Sequence, residues 1–134
     1  MAVSTINTSR AVTFPGAVLQ VVQATLGGGV TTTSGTFVTT GLAASITPTS
    51  ASSKILIMVT ANGCYTFTSN HELHLTIYRG GSNIASSGSG QNAAFGWGYG
   101  PSSPVGTNIN ISYLDSPATT SSTTYTIYMA SGVS

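Results

Sequence analysis

Both histidines of this 134-residue chain and one of its two acidic residues fall in four consecutive positions, His71-Glu72-Leu73-His74. Two imidazoles and a carboxylate could bind a metal or move a proton. A zincin helix, however, places its histidines at i and i+4 on one face with a Glu between them, and here the spacing is i, i+3. The flanking residues favour a strand, in which successive side chains point to opposite faces. His71 and His74 then separate, while Glu72 shares a face with His74. The expected arrangement is a Glu72–His74 hydrogen bond, and no metal is assigned. One histidine per copy builds a metal site only where a threefold axis gathers three copies, since several ligands must converge.

The second acid, Asp115, stands in Leu114-Asp115-Ser116-Pro117. An Asp before a Ser-Pro step commonly accepts backbone N–H bonds in a turn, and that role is expected here. A Ser-His-Asp triad could be written from Asp115, either histidine and one of many serines. There is no Gly-x-Ser-x-Gly elbow to present such a serine, and triads are defined by geometry rather than inventory. Paired-carboxylate hydrolysis would require Glu72 and Asp115 to face each other. No catalytic residues and no cofactor are assigned, and a small hydrolase is the weakest of the functional classes considered.

Phe95-Gly96-Trp97-Gly98-Tyr99-Gly100 is the most unusual local pattern. In an extended segment Phe95, Trp97 and Tyr99 would share one face, with glycines opposite that let a backbone or ligand come close. Such a row could stack on the sugar rings of a host-surface glycan or anchor a partner. Equally, it could pack against a neighbouring subunit or a glycine-thinned sheet.

These groups must be positioned by strands. Leu73, Leu75 and Ile77 alternate with His74, Thr76 and Tyr78, and the same period of two recurs over Asn108–Tyr113 and Thr124–Met129. Each run reads as a half-buried antiparallel strand. No window carries a helical i, i+3, i+4, i+7 stripe. Lys54 to Val59 breaks the alternation by being apolar on both faces, and is expected to lie between two apolar layers. That places Leu56 and Met58 at a candidate subunit interface. Turn signals at Gly27–Gly29, Ser34-Gly35, Pro48–Ser50, Gly80–Asn83, Gly88–Gly90, Pro101–Pro104 and Ser116-Pro117 divide the chain into about eight or nine short strands. The pattern predicts an all-β antiparallel sandwich, jelly roll or small barrel. Residues 1–15 read as an extended N-terminal attachment arm and residues 16–134 as the β domain.

Composition narrows the function. Only Arg10, Lys54, Glu72, Arg79 and Asp115 carry formal charge, whereas Ser and Thr fill 42 positions. Three scattered basic residues cannot track a phosphate backbone, so nucleic acid is excluded as a partner. A net charge of +1 gives copies little reason to repel each other, and an oligomer is expected. Cys64 is the single cysteine; it can form no internal disulfide and reads as a small buried hydrophobe. No run is long enough to cross a membrane, and the first residues lack the charged and apolar regions of a signal peptide, so a soluble chain without membrane insertion is expected.

Three stretches, taken in their order along the chain, suggest a family: Pro15-Gly16-Ala17-Val18-Leu19-Gln20-Val21-Val22-Gln23; Ser45-Ile46-Thr47-Pro48 leading through Ser52-Ser53-Lys54-Ile55-Leu56; and Tyr113-Leu114-Asp115-Ser116-Pro117-Ala118-Thr119-Thr120 with Thr124-Tyr125-Thr126. Over about residues 15 to 130 the chain resembles the fibre and decoration-type structural domains of tailed bacteriophages, especially those of marine and cyanobacterial hosts. The resemblance implies a tumour-necrosis-factor-like head on the outer surface of the virion. It also implies a homotrimer, other virion proteins of capsid or tail as partners, and no catalytic residues. The chain departs from the pattern after the Tyr125 strand: relatives continue through a last hairpin, whereas Met129 to Ser134 ends early, which implies a shortened or partnered final strand.

Overall fold

The computed structural model describes residues 17–86, 94–100 and 105–133. Among them there is no helix. The strands are β1 (Val38–Ile46), β2 (Ile55–Thr66), β3 (His71–Arg79), β4 (Ser82–Asn83), β5 (Gly96–Gly100), β6 (Val105–Asp115) and β7 (Thr123–Val133). The chain is therefore all-β, and every pairing is antiparallel.

One sheet runs β1-β7-β3, and the far edge of β3 is shared between β4, opposite Tyr78 and Arg79, and β5, opposite His71 to Leu75. The second sheet has two strands, β2 and β6. Period-two alternation turns Leu75 and Ile77 of β3, Ile127 and Met129 of β7, Ile109 and Ile111 of β6, and Val59 of β2 into one buried cluster. Burial of each such side chain contributes roughly 1.5–3 kcal/mol. Residues from both sheets make this core, so neither sheet can bury its apolar face alone.

The alternating runs lie in β3, β6 and β7, where the sequence places them. Two irregularities are glycine-dependent. The β2–β6 register shifts between Ala61 and Cys64, where Gly63 has φ +65° and donates its N–H to Asn108 Oδ1 at 3.0 Å. The β1–β7 register shifts between Thr39 and Ala43 around Gly41, at φ +83°. A side chain is disfavoured at both points because L-residues rarely adopt that region.

One expectation needs revision, that for Asp115. Among the described residues there are seven strands, and the Gly88–Gly90 and Pro101–Pro104 turns lie outside them. The two-faced run is β2. Ile55, Ile57 and Val59 pack toward the core, while Leu56 and Met58 are 59% and 76% exposed, because among the described residues no third layer covers the two-stranded sheet. Asp115 does not cap a turn: it is buried and paired across the sheets with Arg79.

The proposed arm, residues 1–15, lies outside the described residues. Residues 17–33 form no strand and nearly all are exposed, so the paired body begins at Val38.

Candidate binding face

The even-numbered residues of β3 lie on the face of the larger sheet turned away from the core. Register brings the two sequence motifs together there. Tyr99 stands opposite Glu72 and Trp97 opposite His74 on one side, with Gly132 and Ala130 opposite the same two residues on the other. Glu72 and Tyr99, directly opposed, sit about 4.5–5.5 Å apart at Cβ, close enough for their side chains to interact.

Glu72 Oε2 lies 2.8 Å from His74 Nε2. A carboxylate can only accept, so Nε2 carries the hydrogen and donates. His74 Nδ1 is buried and has no partner among the described residues. Gly132 makes room for the pair: a Cβ there would meet His74 Nε2 at 2.5 Å and Glu72 Oε2 at 3.2 Å. The expected Glu72–His74 bond is thus present, and it is built into the sheet rather than held at its edge.

Next to it, Tyr99 donates its hydroxyl hydrogen to Asn70 Oδ1 at 3.0 Å. Asn70 occupies the left-handed region at φ 60°, which Asn tolerates better than most residues, just before β3 begins. The Tyr99 ring stays partly exposed. Further along the same face Thr76 donates to Asn83 Oδ1 at 2.7 Å, and the rings of Tyr78 and Tyr128 stack with centroids 3.9 Å apart. One flank of this face is therefore packed and closed, and the Asn70–Glu72–Tyr99 end is open.

The aromatic row divides. Phe95 precedes β5, donates its N–H to Leu75 O at 2.9 Å, and sets its ring edge-on to Tyr113 of β6 at 5.5 Å. It belongs to the junction between the sheets and not to the Tyr99 face. The Trp97 side chain lies outside the described residues. The glycines of the row do what was expected of them: a Cβ on Gly96 would meet Ile109 Cγ2 at 2.6 Å, and one on Gly98 would overlap Thr107 Cγ2. They bring β5 down onto β6.

The other candidate chemistries are not assembled. His71 Nδ1 lies 3.4 Å from Ser131 Oγ, on the opposite face of β3 from His74. No group of three or more His, Cys, Asp or Glu among the described residues could hold a metal. Glu72 sits near one end of β3, while Asp115 is held at the other by Arg79; seven strand positions separate Glu72 from Arg79, about 23 Å. The two carboxylates do not meet, and Asp115 is likewise remote from His74.

What sequence reasoning missed is the long-range partnership of Asp115. Arg79 Nη1 donates to both its oxygens, at 2.8 and 2.6 Å, and the Tyr125 hydroxyl donates to Oδ2 at 2.6 Å. The hydrogen bond to Asp115 raises the Arg79 pKa above its already high ordinary value. Burial pushes the Tyr125 phenol up, and its bond to Asp115 pushes it further. This cluster fastens the two sheets, with Asp115 at its centre accepting from both Arg79 and Tyr125.

A second feature also escaped the sequence reading. A cavity of about 740 Å³ runs along the outer edge of β2, walled on its far side by Ala17 to Ala24. Leu56 and Met58 of the interface pair line it, and Leu114, paired with Leu56, adds to the same bare patch. Its one warning in the sequence is that Val18, Leu19, Val21 and Val22 put apolar side chains on both faces of an extended segment.

No known family model matches the chain, and no curated protein and no solved structure matches it significantly.

Proposed function

We propose that the chain is a structural subunit of a bacteriophage particle, borne on the outer surface as a capsid decoration or as a head or tail fibre or spike domain. It assembles with copies of itself, as a trimer by the resemblance above, and attaches to other virion proteins through its N-terminal arm, residues 1–15. In this reading the two sheets form a jelly-roll-like sandwich. The observation that carries the proposal is the bare apolar face of Leu56, Met58 and Leu114 on a chain with five charged residues. Contiguous apolar surface of this kind marks association sites, and without charge the only sizeable cohesion available is apolar burial and β pairing. Electron microscopy of particles of the encoding phage, labelled with a gold-conjugated antibody against the chain, tests it. Label should sit at regular positions on the particle exterior; purified particles that lack the protein would overturn the reading.

A second reading is favoured by one observation, the convergence of Tyr99, Asn70 and Glu72 at the open end of one face. An exposed aromatic ring beside an amide and a carboxylate offers stacking and hydrogen bonds to a sugar. The same subunit would then bind a host-surface glycan, and both roles can sit on one particle-borne domain.

A further inference from the structure

Apolar character on both faces is shared by two parts of the chain, and among the described residues neither has a full set of partners. Among those residues β2 pairs only with β6, so one of its backbone edges carries no ladder. It presents Leu56 and Met58 on one face and Ile55, Ile57 and Val59 on the other. A strand added to that edge would have to be apolar on both faces as well. Most strands are not, because one face usually meets water.

The segment Ala17–Gln23 has that character. Leu19 and Val21 would fall on one face, Val18 and Val22 on the other. No residue from 17 to 33 makes a backbone–backbone hydrogen bond among the described residues, and Val18 and Val21 are 80% and 82% exposed. The segment runs beside its own β2 edge without joining it, leaving the cavity between them. Its neighbourhood contains one charge, Lys54. An occupant must therefore be an uncharged, doubly apolar strand, and a second copy of this chain carries one.

We propose that copies associate by strand exchange: Ala17–Gln23 of one copy enters the cavity of a second and pairs with the free edge of its β2. The two-stranded sheet gains a third strand, the side chains of the incoming strand cover Leu56 and Met58 on one face and the Ile55–Ile57 side on the other, and an aggregation-prone edge is removed. The proposal deepens the assembly role given above and rests on it for the association of copies, while naming the contact.

The test uses full-length chains in which Cys64 is replaced by Ser. One chain carries Val21→Cys and another Met58→Cys, both positions lining the cavity, and the two are mixed and oxidised. The expected product is a disulfide joining the two different chains. In sedimentation equilibrium, Val18→Asp with Val21→Asp should raise the dissociation constant roughly tenfold or more and leave circular dichroism unchanged, since both side chains are exposed. An oligomer that the double Asp variant leaves intact would overturn this contact and spare the assembly reading. So would a chain bearing both cysteines that bonds only to itself. A monomer at every concentration would overturn both.

Discussion

Arg79, at the last position of β3, grips Asp115, at the last position of β6, with Nη1 at 2.8 and 2.6 Å from the two carboxylate oxygens. The pair ties the larger sheet to the smaller at the edge of their shared core. Asp115→Ala is expected to cost about 2–3 kcal/mol, below the roughly 3–5 kcal/mol of a fully buried pair, because water can re-solvate an Arg79 side chain that is 33% exposed. Urea denaturation of the variant should show a lower midpoint with an unchanged slope. Tyr125→Phe, which removes one hydrogen bond and keeps the ring, should cost about 1 kcal/mol.

Tyr125 also makes stability depend on alkaline pH. Its folded-state pKa is raised, by burial first and by the bond to Asp115 second, whereas in the unfolded chain it titrates near the ordinary value of about 10. The unfolded state thus loses this proton first. The contribution is complete below about pH 10 and falls as pH rises beyond it, by at most about 1.4 kcal/mol per pH unit for one proton. Burial also raises the Cys64 thiol, which acts in the same direction from a lower pH. Denaturation across pH 8 to 12 is therefore compared in Cys64→Ser chains with and without Tyr125→Phe, and the Phe chain should show the shallower decline.

The β5 glycines should be sharply intolerant of a methyl group. Gly96→Ala and Gly98→Ala place Cβ against Ile109 and Thr107 of β6, and overpacking of this kind costs about 1–3 kcal/mol. Gly106→Ala meets nothing closer than Cys64 O at 3.9 Å and should leave the melting temperature nearly unchanged. Thermal melts of the three variants separate close packing from a general dislike of substitution.

At the open end of the binding face, Tyr99→Ala should leave assembly and melting temperature close to those of the parent, because the ring is partly exposed and its hydroxyl bonds to an exposed Asn70. If that end binds host-surface sugar, phage adsorption falls by roughly tenfold or more, the loss of a stacking contact of about 1.5 kcal/mol. Unchanged adsorption would remove the glycan reading.

Much of this fold can be read in the residues themselves. The alternation of Leu73, Leu75 and Ile77 specifies both β3 and its buried face, and the shared parity of Glu72 and His74 specifies their hydrogen bond. Asp115 is illegible by the same logic, since its partners Arg79 and Tyr125 lie 36 and 10 positions away and local pattern favours a turn cap. Phe95 shows a related limit. Its parity matches Tyr99, yet the strand begins one residue later and Tyr113 offers the ring an apolar contact. The binding face needed the β3–β5 register, which joins two motifs more than twenty positions apart and which no single segment encodes.

Association of copies through uncharged apolar surface is the claim on which the rest depends. Sedimentation equilibrium of the full chain at micromolar concentration, from about 0.05 to 1 M NaCl, measures it most directly. Apolar contacts are not weakened by screening, whereas ion pairs between exposed groups are. One closed oligomer is expected, with a dissociation constant that does not rise with salt. A stable monomer throughout, or a complex that falls apart as salt increases, would contradict it.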